Sequence, residues 1–348
     1  MKISDKIDDF KDQGKTFYSF EFFPPKSDYA LDNLYSRIDR MASLQPAYID
    51  ITWGAGGSTA KKTLEMSKTI QKYFGLEVMM HLTCTNMHVS SIKKVLEDAK
   101  ESGLSNILAL RGDPPDGAVE WEKNEKGFNY GIDLVRYIRK EFGDDFFLGV
   151  GGYPDSHQEQ NNFDLDISYL KEKVDAGSDI VVTQLFYDVN KFLVFRDKCS
   201  TIGIDVPIIP GIMPIHNYAR FIKFTQFCDV TVPSSVAKKL ESIKHDDSSV
   251  IDYGIEQGTA MCEKLITEGV PGLHFYTLNL EHSVSRILES LGLVSTQGSV
   301  RELPWRQSTE GGRKTTEDVR PIYWSNRPVS YLTRTETWDD FPNGRWGD

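Results

Sequence analysis

A glutamate stands inside an apolar, aromatic run in Ser19-Phe20-Glu21-Phe22-Phe23-Pro24-Pro25-Lys26. Such a run reads as a buried strand that the two prolines stop. A charged side chain is costly there unless something pairs with it or uses it. Further strand-like runs also finish on polar residues. Their ends supply Thr52, His81, Arg111 with Asp113, Tyr153, Gln184, and Tyr276 with Asn279. Each alone can be a cap or turn residue, and for Thr52 or Asn279 taken singly that is the better account. The set as a whole points to a site.

Two strings sharpen the picture. In Leu108-Ala109-Leu110-Arg111-Gly112-Asp113-Pro114-Pro115, Gly112 lets backbone approach a ligand, Arg111 brings fixed positive charge and Asp113 an acceptor. A strand followed by an Asp-Pro turn, with an Arg–Asp pair, explains the same string. Trp53-Gly54-Ala55-Gly56-Gly57-Ser58-Thr59 is glycine-rich but lacks the lysine of a phosphate-binding loop. It suits a flat ligand lying close to backbone and suits a flexible turn equally. No histidine pair has i, i+4 spacing and no GxSxG occurs, which argues against a catalytic metal and a serine nucleophile. His216, His245 and His282 read most simply as surface residues, and Phe224 as ordinary helix packing.

These residues need a scaffold. Strands are expected over 16–24, 48–53, 76–84, 106–113, 146–154, 179–187, 206–214 and 273–279. Helical patterns cover 30–42, 61–73, 89–101, 130–141, 165–176, 189–199, 218–227, 235–243, 249–268 and 282–291. Several strands are nearly continuous apolar runs, as when both faces are covered. Alternating strands and helices with no GxGxxG after the first strand favour an α/β protein with a (β/α)8 TIM-type barrel and additional helices. In that fold the strand ends share one rim.

The chain has 348 residues, 39% hydrophobic and 11% aromatic, enough for a large core. A net charge of −11 with no basic block argues against nucleic acid or an anionic membrane as partner. Cys84, Cys199, Cys228 and Cys262 are widely spaced and read as reduced thiols. With no membrane-length apolar stretch and no apolar signal core after Met1, a cytoplasmic location is expected. After about Leu293 the composition changes: 307–317 is polar, and 319–348 carries Trp324, Trp338 and Trp346 among other aromatics. The result is an aromatic-rich C-terminal extension, too apolar for a flexible linker.

The strings around Glu21, His81-Leu82-Thr83-Cys84, Leu110-Arg111-Gly112-Asp113 and Thr183-Gln184-Leu185-Phe186-Tyr187-Asp188 strongly resemble the methylenetetrahydrofolate reductase family. So do Pro210-Gly211-Ile212-Met213-Pro214 and His274-Phe275-Tyr276-Thr277-Leu278-Asn279. The tail strings Asp318-Val319-Arg320-Pro321-Ile322 and 340–348 look like the eukaryotic members, where they lead to an S-adenosylmethionine-responsive domain. The resemblance implies a catalytic FAD-binding barrel over 1–295. It implies an extension over 296–348 leading to a regulatory domain that the chain itself lacks. S-adenosylmethionine is then not expected to bind this chain, and a homodimer would form largely through that domain.

The family's activity would be reduction of 5,10-methylenetetrahydrofolate to 5-methyltetrahydrofolate, with hydride passing from NAD(P)H through FAD. NADPH is the expected donor for a eukaryotic-type member. By motif, Glu21 would be the general acid that opens the folate's five-membered ring, which needs a carboxyl group holding its proton near neutral pH. Phe20 and Phe22 point to the other side of the strand, so neighbouring strands or ligands must surround Glu21. Asp113 would lie close to the flavin ring and the pterin. Thr52, Trp53, His81, Arg111, Gly112, Asp113, Tyr130, Gly131, Tyr153, His157, Asp166 and Lys173 fall at flavin-contact positions, Arg111 and Lys173 offsetting diphosphate charge. Gln184, Phe224 and Tyr276 fall at substrate positions. Departures are Leu280 for a more usual arginine, Gly131 for alanine, and His157-Gln158-Glu159-Gln160 for His-Pro-Glu-Ala. Another barrel flavoenzyme, or a barrel kept only for docking, remains as a competing account. An acid and an amide facing the ligand speak for the folate reaction.

Overall fold

The apolar runs pair edge to edge until the last meets the first. In the computed structural model these strands are β1 (Phe17–Phe22), β2 (Tyr48–Ile51), β3 (Val78–Thr83), β4 (Asn106–Leu110), β5 (Phe147–Gly152), β6 (Ile180–Leu185), β7 (Ile208–Ile212) and β8 (Gly272–Tyr276). They close in chain order into a parallel eight-stranded barrel, β8 pairing back onto β1. The structure describes residues 2–54, 59–112, 127–156 and 162–294.

Helix α1 (Ile3–Asp12) precedes β1, and a helix follows each strand in turn: α2 (Asp28–Ala42), α3 (Ala60–Tyr73), α4 (Val89–Glu101), α5 (Gly131–Phe142), α6 (Phe163–Asp175), α7 (Val189–Thr201) and α8 (Tyr218–Phe227). Between β7 and β8 come α9 (Ser234–Ile243) and α10 (Asp247–Thr267), and α11 (His282–Ser290) follows β8. The barrel unit comprises Met1–Pro24 and Pro46–Thr296, whereas α2 belongs to a second unit. Starts are set by side-chain caps: Asn162 accepts from Leu165 N, Asp188 from Asn190 N, Asn217 from Arg220 N, and Asp246 from Ser248 and Ser249 N. Among the described residues no helix is long and apolar enough to cross a membrane.

The expected elements are present, with strands one to three residues shorter at the rim than the apolar runs suggest. Thr52, Trp53, Arg111 and Tyr153 lie just past their strands. Helix α1 was not expected. Its acidic and basic residues hide a repeat of Ile3, Ile7 and Phe10, and burial of that stripe is what holds it. Ile3 and Ile7 join Phe17, Tyr48, Met79, Leu108, Phe147, Ile180 and Ile209 in one apolar cluster. These strand residues sit near the N-terminal ends of their strands, so α1 plugs the lower mouth of the barrel. Asn106, fully buried, ties the plug down by accepting from Ile3 N at 2.8 Å.

Register fixes what meets above the plug. Glu21 lies opposite Asp50 on β2 and Tyr276 on β8, and Ser19 lies opposite His274. Between β6 and β7 the register shifts, and Gly211 N donates to Thr183 Oγ1 at 3.0 Å. A Cβ on Gly211 would stand 2.3 Å from Thr183 O and 2.5 Å from the Tyr276 ring. Glycine there lets the tyrosine lie flat across the strand.

Because Ile3 has no exposed surface, Ile3→Ala should lower unfolding stability by about 2–5 kcal/mol. The midpoint of denaturant unfolding checks this. A loss under roughly 1 kcal/mol would mean that the plug is not part of the core.

Candidate active site

Above the apolar layer the barrel interior turns polar. Asp50 interrupts the buried strand Tyr48-Ile49-Asp50-Ile51 and has no exposed surface. Its Oδ1 is 3.3 Å from His81 Nε2 and its Oδ2 3.5 Å from His274 Nδ1. Ser19 Oγ also meets His274 Nδ1, at 2.9 Å. One layer higher, Glu21 Oε2 stands 3.7 Å from His81 Nε2 and 3.7 Å from His274 Nε2. Two carboxylates and two imidazoles therefore form one sealed group, open only on the Glu21 side, whose side chain is 18% exposed. Burial on its own would lower the pKa of His81. The hydrogen bond to Asp50 and the charges of Glu21 and Asp50 outweigh it, and the imidazole is raised above its usual value.

The loop after β8 fastens the strand that carries the acid. Thr277 Oγ1 donates to Glu21 O at 2.6 Å. Asn279 bridges Phe23, accepting from its N at 3.0 Å and donating to its O at 2.9 Å. Both Leu278 and Asn279 have positive φ, 50° and 58°, the tight turn this bridge needs. Asn279 is thus a turn residue, the better account of it when taken singly.

Tyr276 donates to Thr183 O at 2.7 Å and sets its ring edge-on to His274, centroids 4.9 Å apart. Burial first, then the charges of Glu21 and Asp50, push its phenol well above its usual range, so it stays a donor. Gln184 follows Ile180 and Val182 by alternation onto the interior face at the end of β6, half-buried.

The remaining expected residues form a second group. The Arg111 guanidinium lies over the Tyr130 ring, 5.1 Å from its centroid. Arg111 O accepts from Thr85 Oγ1 at 2.8 Å, holding the strand end in place. Gly112 has φ +93°, and a Cβ there would come within 2.7 Å of Thr83 Cβ, so only glycine makes this approach. Gly131 opens α5 against this segment. A Cβ on it would sit at ordinary contact, 3.5 Å from Arg111 N, so alanine and glycine are interchangeable there. Trp53 Nε1 and Thr83 Oγ1 are buried with no hydrogen-bond partner among the described residues. Thr52 O accepts from Thr63 Oγ1 at 2.8 Å, tying this rim to α3. Tyr153 is half-buried just beyond β5, its hydroxyl against Gly151. On α6, Asp166 and Lys173 stand two turns apart. Burial lowers the ammonium of Lys173 and the Asp166 charge partly restores it. Asp113, His157 and residues 55–58 lie outside the described residues.

Two expectations need correction. Phe224 is not core: it is 37% exposed on α8, where Phe221 and Thr225 face inward. His216 is not a surface histidine. It is half-buried, meets Ser283 Oγ at 3.1 Å through Nδ1, and its pKa is pushed down to about 4 by burial, then by the charges of His282 and Arg220. Sequence reading missed Asp50 and His274. A lone aspartate inside Tyr48-Ile49-Asp50-Ile51 was the available signal, of the kind that singled out Glu21. Among the described residues no group of three His, Cys, Asp or Glu is placed to hold a metal ion.

Residues 6–292 match the protein family described as methylenetetrahydrofolate reductase. Residues 300–348 match the one described as the SAM-binding regulatory domain of the same proteins. The tail thus carries sequence of that domain, where a segment merely leading to it was expected. The chain is 48% identical over 357 residues to methylenetetrahydrofolate reductase (NADH) 1 of Arabidopsis thaliana, covering all of this chain and 60% of that protein. It is 37% identical over 281 residues to 5,10-methylenetetrahydrofolate reductase of Pectobacterium carotovorum, covering 81% of this chain and 92% of that one. A solved Clostridium thermocellum protein, described as binding two copies of 5-methyl-5,6,7,8-tetrahydrofolic acid, has the same fold. Its TM-score is 0.59 at 15% identity, over 82% of this chain and 96% of that one.

Because the folded His216 titrates below its unfolded value, its stabilising effect is complete above about pH 6.5 and is lost as pH falls toward 4. Urea unfolding at about pH 7.5 and about pH 4.5 should show His216→Gln losing roughly 2 kcal/mol less than the parent chain on acidification. Equal losses would show that the imidazole does not titrate in this way.

Proposed function

The chain belongs to the methylenetetrahydrofolate reductase family, and we propose that its barrel reduces 5,10-methylenetetrahydrofolate to 5-methyltetrahydrofolate with hydride from a reduced nicotinamide dinucleotide by way of FAD. The observation that carries this reading is Glu21: a carboxyl group at the mouth of the barrel, walled by two buried imidazoles and open only toward the rim. The chain spans 60% of the Arabidopsis protein but 92% of the bacterial one, which supports placing the whole reaction in the barrel.

The residues present fit a flavin. Trp53 Nε1 and Thr83 Oγ1 are buried donors that lack protein partners among the described residues, and a Cβ at Gly112 would crowd Thr83. Arg111, steadied by Tyr130, offers the fixed positive charge that a diphosphate asks for, with Lys173 as a second cation. Thr52, His81, Gly131, Tyr153, His157 and Asp166 complete this proposed contact set. Bound FAD would supply hydride storage between the two half-reactions. Asp113 would place a negative charge near that ring. The donor is NADH in the Arabidopsis relative's name, against the NADPH expected from sequence, and anaerobic titration with both decides between them.

The protein's part in the folate half-reaction is proton placement. Glu21 gives a proton to the ring nitrogen as its bond to the methylene carbon breaks, and the carbon is left cationic and ready for hydride. Gln184 orients the pterin through its amide, and Tyr276 and Phe224 supply aromatic contact. Nicotinamide oxidation needs no such proton, so the two half-reactions should respond differently to loss of the acid.

Glu21→Gln should leave flavin reduction by the nicotinamide nearly intact and slow transfer to folate by about 10²–10⁴-fold, read by rapid-mixing flavin absorbance. Comparable loss in both halves would overturn the assignment. Asp113→Asn should raise the reduction potential of the bound flavin in a spectroscopic redox titration, and an unchanged or lowered potential would remove Asp113 from the ring.

A further inference from the structure

We propose that Asp50 is a positioning residue for the acid: it holds the His81 and His274 imidazoles against Glu21, so that Glu21 is re-protonated from inside the barrel. The inference rests on the reading of Glu21 as the proton donor. Asp50 cannot meet a substrate, having no exposed surface. Its two oxygens are instead shared out, Oδ1 facing His81 at 3.3 Å and Oδ2 facing His274 at 3.5 Å.

The two imidazoles present themselves differently. His81 turns the same nitrogen, Nε2, to both carboxylates, within hydrogen-bond reach of Asp50 at 3.3 Å and beyond it for Glu21 at 3.7 Å. His274 turns Nδ1 to Asp50 and Nε2 to Glu21, so its ring spans the two carboxylates through opposite corners. When Glu21 has given up its proton, the Nε2–H bond of His274 breaks and an O–H bond forms on Glu21 Oε2. The ring is left neutral with Nδ1–H still against Asp50 and Ser19. The 3.7 Å gap is too long for a hydrogen bond in this arrangement and closes with a small swing of the glutamate. Refilling comes from solvent through Glu21, the one member with substantial exposure. Without the Asp50 charge, nothing in the buried layer would favour the imidazolium form except Glu21 itself, whose charge disappears when it is protonated.

Among the described residues, the titratable groups that face this centre are Tyr48 and Asp50 from β2, His81 from β3, and His274 and Tyr276 from β8, with Tyr153 and Cys228 acting on Tyr276. Burial and the nearby carboxylates hold both Tyr48 and Tyr276 protonated, which leaves the two imidazoles to pass a proton.

The test uses the flavin-loaded chain with Asp50→Asn, which keeps size and removes charge. Histidine ¹⁵N NMR should show the His81 titration, which the Asp50 hydrogen bond and charge raise, moving down by about one pH unit. The folate half-reaction should then fall by about tenfold on the alkaline side of its pH profile. Flavin reduction by the nicotinamide should be unchanged. His274→Gln, which leaves Asp50 in place, should reproduce the alkaline loss and serves if Asp50→Asn does not fold. An unmoved His81 titration, an unshifted alkaline limb, or equal slowing of both half-reactions would overturn the proposal. If instead Glu21→Gln still reduces folate at the parent rate, it is the acid assignment that has failed. Asp50→Asn behaving like the parent beside an inactive Glu21→Gln would sink only the role of Asp50.

Discussion

A carboxylate sealed in the middle of a protein must be compensated where it stands, and Asp50 sets that demand here. Stripping an ion of water costs several kcal/mol even after relaxation. No solvent reaches Asp50, so the compensation comes from His81 and His274. Those partners arrive on β3 and β8, strands far apart in sequence, and only the closed barrel brings them together. The apolar layer and α1 below keep water from entering underneath. The polar layer thus depends on closure, and Glu21, at its upper edge, inherits a surrounding that no single strand could provide.

The rim shows the same economy of parts. Thr277 and Asn279 pin the end of β1 through its backbone, leaving the Glu21 side chain to face the group within. The bulge at β6–β7 and the bare Gly211 make room for Tyr276 to cross the mouth and hydrogen-bond to Thr183 O. Backbone irregularity here is spent on aiming side chains, as irregular sheet edges commonly are.

Much of this was legible in the sequence because its signals are local. Runs such as Phe146-Phe147-Leu148-Gly149-Val150 announce strands buried on both faces, and the proline and glycine strings after them mark the rim. Glu21 announced itself as a charge in an apolar run. Asp50 carried the same signal in a shorter strand, but its meaning depends on His274, over two hundred residues away, and register alone connects them. Helix α1 escaped notice because only two or three of its residues touch the core, and His216 because its partner, Ser283 on α11, lies 67 residues away in sequence. What was missed is what lies in pairings between distant segments.

The plug at the lower mouth has a consequence for how the chain must be assembled. The seat of α1 includes Phe147 of β5, Ile180 and Val182 of β6 and Ile209 of β7. During synthesis the first ten residues emerge long before that seat exists, so they spend most of translation undocked. Their burial belongs to the closing phase, together with the joining of β8 to β1, and the earliest segment made is among the last to be secured.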